Sequence, residues 1–329
     1  MSTPPIILAT RGSALALVQA RAVLAQCQKA LPDRSFEIRI YKTTGDKLQT
    51  ASLSGASLPK GLFTKELEVA LLSGEADLAV HSLKDLPTEL PEGLRLGAVG
   101  RREDARDVLV TRTTDAGPHR GYGPGLSLAS LPEGATVATS STRREAQLRE
   151  RRPDLRVVPI RGNVGTRLRK LLENGELDAT LLAAAGLHRL GFAVAADGML
   201  SGGPQDSEPV PSGRFRLYYL TPKEMIPCVG QAAIGIEIRS ADSKLEQVCS
   251  ALNHPPTESC VKAERSFLRT MGGGCQAAVA AYATLSDSTL SLDAVSYLQG
   301  HPRRATVAGD ASAAEALGVT LARQLGVPT

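Results

Sequence analysis

The sequence has no tryptophan, and aromatic residues make up only 3% of its 329 positions. That scarcity argues against single-stranded nucleic-acid binding, where bases stack on rings. No apolar run reaches the ~18 residues that a membrane span needs. The opening stretch MSTPPIILATRGS lacks the basic-then-apolar order of a secretory signal, and it is not Arg- and Ser-rich like a transit peptide. A cytoplasmic protein with no membrane partner is the expectation. The five cysteines (Cys27, Cys228, Cys249, Cys260 and Cys275) include no CxxC pair, and their odd number speaks against a disulfide framework. No cysteine–histidine spacing fits zinc, so no metal is expected.

What is present is an uneven distribution of charge. The net charge is only +4, yet arginines crowd one segment: Arg143, Arg144, Arg149, Arg151, Arg152, Arg156, Arg161, Arg167 and Arg169. Such a cluster implies an anionic partner. A small polycarboxylate or phosphate fits at least as well as nucleic acid. Arg149, Arg151 and Arg152 read as a solvated helix face.

The length implies two or three domains. IILAT reads as a buried strand, and Ser13 then opens a helix through ALALVQARAVLAQCQKAL. FEIRIYKT alternates as a strand, GLFTKELEVALLSG is a helix stopped by Gly74, and ADLAVHSL is the strand behind it. Strands alternating with helices imply an α/β fold with a parallel sheet. LLSGEADLAV (71–80) and LLENGELDATLL (171–182) repeat one pattern, which points to two related α/β units. Thr111 to Leu126 and Ser201 to Arg214 are rich in Gly, Pro, Ser and Asp and read as surface excursions. VGQAAIGIEIR returns to strand. A helix ended by Gly272, two alternating runs and a final helix over about 311–325 form a small α+β tail.

Arg11-Gly12-Ser13 and Thr139-Ser140-Ser141 each follow a strand and open a helix, where hydroxyls and free N–H groups favour anions. Plain N-capping explains either one alone; the two together, with RGNVGTR nearby, favour an anion-lined cleft. HSLKDLP ends a buried strand at the edge where α/β chemistry is usually found. Along an extended chain its Lys84 and Asp85 would point to opposite sides. In MGGGCQAAV, composition excludes a metal or disulfide role for Cys275, leaving a nucleophile or an attachment point.

Taken in order, LATRGSALALVQA, KGLFTKELEVALL, ADLAVHSLKDLP, REDARDVLV, TSSTRREAQL, RGNVGTRL, AGLHRLG, VGQAAIGIE and GGGCQAAV resemble the porphobilinogen deaminases, or hydroxymethylbilane synthases, from Ile6 to about Tyr282. The resemblance implies two hinged periplasmic-binding-protein-like α/β domains, 1–105 with 230–250 and 106–229, plus a small C-terminal α+β domain, 251–329. It implies a monomeric cytoplasmic transferase of tetrapyrrole (haem and chlorophyll) biosynthesis. Four porphobilinogen molecules are condensed head to tail on a covalent dipyrromethane, ammonia is lost, and hydroxymethylbilane is released. No metal or nucleotide is implied. By motif match, Cys275 carries the dipyrromethane cofactor through a thioether and Asp85 is catalytic. Arg11, Ser13, Lys60, Phe63, Ser82, Lys84, Thr139, Ser141, Arg143, Arg144, Arg161, Arg167, Arg189 and Gln231 bind substrate or cofactor. Each porphobilinogen carries an acetate and a propionate, which arginine's planar, permanently charged fork suits.

The loop Thr44 to Lys60 has the composition of a mobile cover, and the resemblance lays it over the site. Two departures stand out. Ala232 stands where the family commonly has Gly, and the 201–214 tract is long and reads as a disordered insertion. Two other readings stay open on residues alone: a hinged two-domain binding protein, which leaves Cys275 unexplained, and a cysteine hydrolase pairing Cys275 with His81.

Overall fold

The structure, a computed structural model, describes residues 4–47, 61–204, 210–274 and 277–327. The first series of elements is β1 (Ile6–Arg11), α1 (Ala14–Ala30), β2 (Phe36–Tyr41), the single turn α2 (Thr44–Lys47), α3 (Lys65–Leu72), β3 (Leu78–Ser82) and β4 (Leu94–Val99). The second is β5 (Asp107–Arg112), β6 (Thr136–Ala138), α4 (Thr142–Arg151), β7 (Arg156–Val158), α5 (Val164–Glu173), β8 (Ala179–Ala183), α6 (Ala184–Arg189), β9 (Phe192–Val194), β10 (Leu200–Gly202) and β11 (Phe215–Tyr219). β12 (Ile234–Arg239) then returns to the first sheet, and α7 (Glu246–Leu252) packs on α1. The chain closes with α8 (Pro255–Thr270), β13 (Val279–Ser286), β14 (Thr289–Ser296), β15 (Arg303–Asp310) and α9 (Ala314–Leu325).

Two five-stranded sheets share one strand order. The first runs β2-β1-β3-β12-β4, and the second, taken from its other edge, runs β7-β6-β8-β5-β11. In each, the strand in fourth place is antiparallel to both neighbours, while the first three run parallel. The expected parallel sheets are therefore mixed. The reversed strand enters each sheet from the other half of the chain, so local alternation carries no sign of its direction. The two crossing segments lie side by side, with Gly100 N donating to Ile234 O at 2.9 Å and Glu103 N to Ala232 O at 3.1 Å.

The repeated segments occupy equivalent places, α3–β3 and α5–β8. Asp77 Oδ2 accepts from Ile7 N at 2.8 Å, and Asp178 Oδ2 accepts from Thr136 N at 2.8 Å. One aspartate in each unit thus pins the start of one strand to the start of its parallel neighbour, β3 to β1 and β8 to β6.

The strands are apolar because both faces are covered. Leu8, Leu78, Val80, Ile236 and Ile238 pack with Ala20 and Val23 of α1. Val108, Val110, Leu168, Leu171 and Phe215 form the second core. Each such side chain contributes ~1.5–3 kcal/mol on burial. Beyond them, α8 and α9 cover one face of the antiparallel sheet β13-β14-β15 through Phe267, Leu292 and Leu321.

Both supposed surface excursions are anchored where they are described. Tyr122 is buried, and its hydroxyl donates to Asp178 at 2.5 Å. Residues 205–209 of the 201–214 tract lie outside the described residues. On either side of them, β10 pairs with β9 and Val210 is buried in the second core, so these flanks are packed rather than disordered.

Candidate functional site

A cleft of about 670 Å³ lies between the two α/β units. Its walls are the C-terminal ends of β1, β3 and β8 and the first residues of α1, α5 and α6, with Ser140 ahead of α4. Helix N-termini carry partial positive charge and free N–H groups. Side chains add to this field. Arg11, Lys84, Arg144, Arg161, Arg167, Arg169 and Arg189 line the cleft, and Asp85 is the one carboxylate among the described lining residues.

Asp85 reaches the cleft through a local bend. After Ser82 the strand enters a 3₁₀ turn over Leu83–Asp85, closed by Leu86 N donating to Leu83 O at 3.1 Å. Pro87 keeps Leu86 extended. Leu83 is buried beneath the turn, and Lys84 and Asp85 both face the cleft instead of pointing apart. The extended-chain expectation fails here because the turn rotates successive side chains by less than a strand does.

The cations are strained by their surroundings. Burial lowers the pKa of Lys84, with Asp85 pulling the other way. Burial, reinforced by Arg144, pushes Arg167 down to about 10, and burial likewise lowers Arg189. An anion in the cleft would relieve all three. Each arginine is also held in place. Arg167 Nε donates to Gly162 O at 2.8 Å, Arg189 Nη2 donates to Ala232 O at 2.6 Å, and the Arg11 guanidinium sits 4.2 Å from the centre of the Phe63 ring.

Four residues matched by motif lie behind this wall. Arg143 Nη1 donates to Asp107 Oδ2 at 2.7 Å and to Ile226 O at 2.8 Å, and it does not line the cleft. Gln231 Nε2 donates to Ala105 O at 2.7 Å and to Asp107 Oδ1 at 3.0 Å, while its Oε1 accepts Lys84 Nζ at 3.5 Å. Thr139 Oγ1 accepts from Ser141 N at 3.2 Å, and Ser141 Oγ caps α4 by accepting from Arg144 N at 3.4 Å. Arg144 does reach the cleft, but Nε and Nη2 are on Asp107 Oδ1 (3.2 and 2.7 Å) and Nη1 is on Leu181 O (2.7 Å). Arg11, Ser13, Phe63, Ser82, Lys84, Asp85, Arg161, Arg167 and Arg189 meet at the cleft as matched. Lys60 and Cys275 lie outside the described residues.

Gln19, which the sequence motifs did not single out, also lines the cleft, as do Ser140, Asn163 and Thr166 from the anion-favouring segments. Gln19 had a readable signal, being polar on the face of α1 where Ala16, Ala20, Val23 and Cys27 are buried. Of the arginines read as solvated, Arg149 and Arg151 are exposed. Arg152 instead binds Leu128 O and Leu131 O, both at 2.9 Å, and is structural.

The glycine run divides by cause. Gly272 ends α8 at φ +64°, and a Cβ on Gly273 would lie 2.9 Å from the Leu268 side chain. Among the described residues, nothing lies within 4 Å of where a Cβ on Gly274 would stand. Helix termination and packing therefore account for two of the three. His81 is buried, and its Nε2 is paired with Glu237 Oε2 at 2.9 Å.

The chain is similar to known proteins along nearly its whole length. Residues 6–247 match the family model described as "Porphobilinogen deaminase, dipyromethane cofactor binding domain", and 258–326 match "Porphobilinogen deaminase, C-terminal domain". The porphobilinogen deaminase of Moorella thermoacetica is 46% identical over 97% of this chain and 92% of its own length. That of Chromobacterium violaceum is 44% identical over 97% and 94%. Among solved structures, a substrate binding domain of a putative amino acid ABC transporter from Streptococcus pneumoniae is similar at 14% identity and a TM-score of 0.41, covering 76% of this chain and 92% of that one. The strand orders, not that score, define the fold class. Two α/β units of one topology flank a cationic cleft in which Asp85 is the one carboxylate among the described lining residues, a C-terminal α+β unit follows, and matched to the family models over almost its full length, the chain belongs to the porphobilinogen deaminase family.

Proposed function

We propose that this chain condenses four porphobilinogen molecules head to tail into hydroxymethylbilane, with loss of ammonia, on a dipyrromethane held by Cys275. The observation that carries this reading is the charge of the cleft, seven cations against one carboxylate among the described lining residues. A dipyrromethane bears an acetate and a propionate on each ring, and the donor set fits it. Held in the cleft, it supplies the free pyrrole α-carbon from which the product grows.

The chain's residues then have distinct tasks. Arg11, Arg161, Arg167 and Arg189, with Arg169, pair with substrate carboxylates, and bidentate pairing fixes ring orientation as well as affinity. Ser13 and the first turns of α1 and α5 add N–H and hydroxyl donors. Arg143, Arg144, Thr139, Ser141 and Gln231 serve from behind, through Asp107 and the α4 cap. Phe63 holds the Arg11 guanidinium, 4.2 Å from its ring centre, on the cleft wall.

Asp85 is the catalytic residue. Loss of ammonia leaves positive charge on the substrate's methylene carbon. A carboxylate about 4 Å away contributes roughly 4 kcal/mol at an effective dielectric near 20. Realised mainly in the transition state, that amounts to about three decades in rate. The same oxygen accepts the proton lost from the pyrrole α-carbon after the new bond forms.

The domain division proposed is 1–105 with 230–250, 106–229 and 251–329, supported by three sheets with separate cores. The two paired crossings are its hinge. A monomer in the cytoplasm completes the proposal; among the described residues no helix is long and apolar enough to cross a membrane. The test is direct: purified protein supplied with porphobilinogen should release ammonia and the linear tetrapyrrole in a one-to-four ratio of tetrapyrrole to ammonia. Absence of either product overturns the reading.

A further inference from the structure

Beside Asp85 lies a smaller pocket of about 60 Å³, whose walls include Arg11, Gln19, Thr64, His81, Ser82 and Asp85. That is room enough for a water-sized molecule. Gln19 is 2% exposed. In the observed arrangement its Oε1 accepts the Ser82 hydroxyl at 3.0 Å. Its Nε2 has no protein partner among the described residues. A buried donor of this kind calls for an acceptor. The Asp85 carboxylate, on another wall of the same pocket, calls for a donor. The occupant that satisfies both is neutral, small, and able to accept and donate at once. A cation does not suit, because it offers Gln19 no acceptor and the Arg11 guanidinium shares the pocket.

We propose that this pocket receives the ammonia released from the substrate, an inference that rests on the deaminase reading above. The substrate's aminomethyl group enters as an ammonium. When its C–N bond breaks, both electrons go to nitrogen, so neutral ammonia departs and the positive charge stays on the methylene carbon. Ammonia then accepts from Gln19 Nε2 and donates to Asp85. After carbon–carbon bond formation the pyrrole α-carbon gives its proton to Asp85, and Asp85 passes it to the waiting ammonia. The resulting ammonium has lost its lone pair, no longer fits Gln19, and is repelled by Arg11 into solvent. One ammonium enters with each substrate and one leaves. The carboxylate is regenerated without an outside acid or base. His81 takes no part as an acceptor through Nε2, which Glu237 already holds.

The experiment uses the holoenzyme turning over porphobilinogen at alkaline pH and fixed ionic strength, with added ammonium, methylammonium or trimethylammonium chloride. Inhibition should follow the free-amine concentration, fall in the order ammonium, methylammonium, trimethylammonium, and vanish for the last, which then behaves like potassium chloride. Gln19→Met keeps the side-chain length and removes the donor. It should raise the ammonium inhibition constant about fivefold, the worth of one neutral hydrogen bond, with the melting temperature little changed. Trimethylammonium inhibiting as strongly as ammonium overturns the pocket, as does unchanged ammonium inhibition in folded Gln19→Met. If that variant does not fold, the amine series on the unmodified enzyme still decides. Failure of the unmodified enzyme to release ammonia from porphobilinogen removes the functional reading instead, whereas turnover with inhibition blind to amine size removes the pocket alone.

Discussion

Asp107 Oδ1 lies 2.7 Å from Arg144 Nη2, and both residues are buried. Oδ2 of the same carboxylate holds Arg143 at 2.7 Å. One aspartate at the start of β5 therefore pairs with two arginines that sequence motifs assign to ligand binding, and it reaches Lys84 through Gln231. Removing its charge leaves two buried guanidiniums uncompensated. Asp107→Asn should cost about 3–5 kcal/mol in urea unfolding, the range for a broken buried pair.

The same residue sets an acid limb. Burial works against its charge, but Arg143 and Arg144 outweigh burial and hold the carboxyl well below the usual range. Its stabilisation is complete above the unfolded carboxylate value of ~4 and is lost as pH falls toward the folded one. Stability measured against pH should decline less steeply below ~4 in Asp107→Asn than in the unmodified protein.

Ala232 has φ +71°, in the left-handed region that favours glycine. Its methyl is accommodated beside Ala105 and Ala185, so the demand is on the backbone and not on space. The conformation costs ~1–2 kcal/mol for an L-residue, against ~0.5–1 for the extra freedom glycine brings to the unfolded chain. Ala232→Gly should therefore stabilise the protein by about 0.5–1 kcal/mol, read from the denaturation midpoint. A loss of stability would show that the methyl's packing outweighs the strain.

Lys84 carries a pKa lowered by burial. Its ammonium favours substrate carboxylates only while protonated, so affinity should fall as pH rises through that lowered value, below the ordinary lysine range near ~10.4. The alkaline limb of kcat/KM for porphobilinogen should move upward in Lys84→Arg, whose charge persists. An unmoved limb would exclude Lys84 as its source.

Much of this was legible locally. Asp77 and Asp178 recur because each closes the same strand–strand contact, and that repetition survives in LLSGEADLAV and LLENGELDATLL. The cationic cleft followed from arginine density and from strands that end in Ser or Gly before a helix. What was not legible depended on distant partners. Arg143 and Arg144 pair with Asp107, 36 and 37 residues away, and no local pattern separates them from Arg161 or Arg167. Nor does strand alternation reveal that β12 and β5 enter their sheets reversed, since each arrives after a crossing. Lys84 and Asp85 share a face only because a 3₁₀ turn follows β3.

The central claim joins Asp85 to the growth of a chain anchored at Cys275, and intact-mass spectrometry tests it most directly. The unmodified protein should weigh more than its sequence by one dipyrromethane. Brief exposure to porphobilinogen should then add a ladder of pyrrole increments. Asp85→Asn, folded and carrying the dipyrromethane, should show at least about a thousandfold slower growth of that ladder. A bare sequence mass that porphobilinogen does not change, or a ladder in Asp85→Asn as fast as in the unmodified protein, would contradict the account.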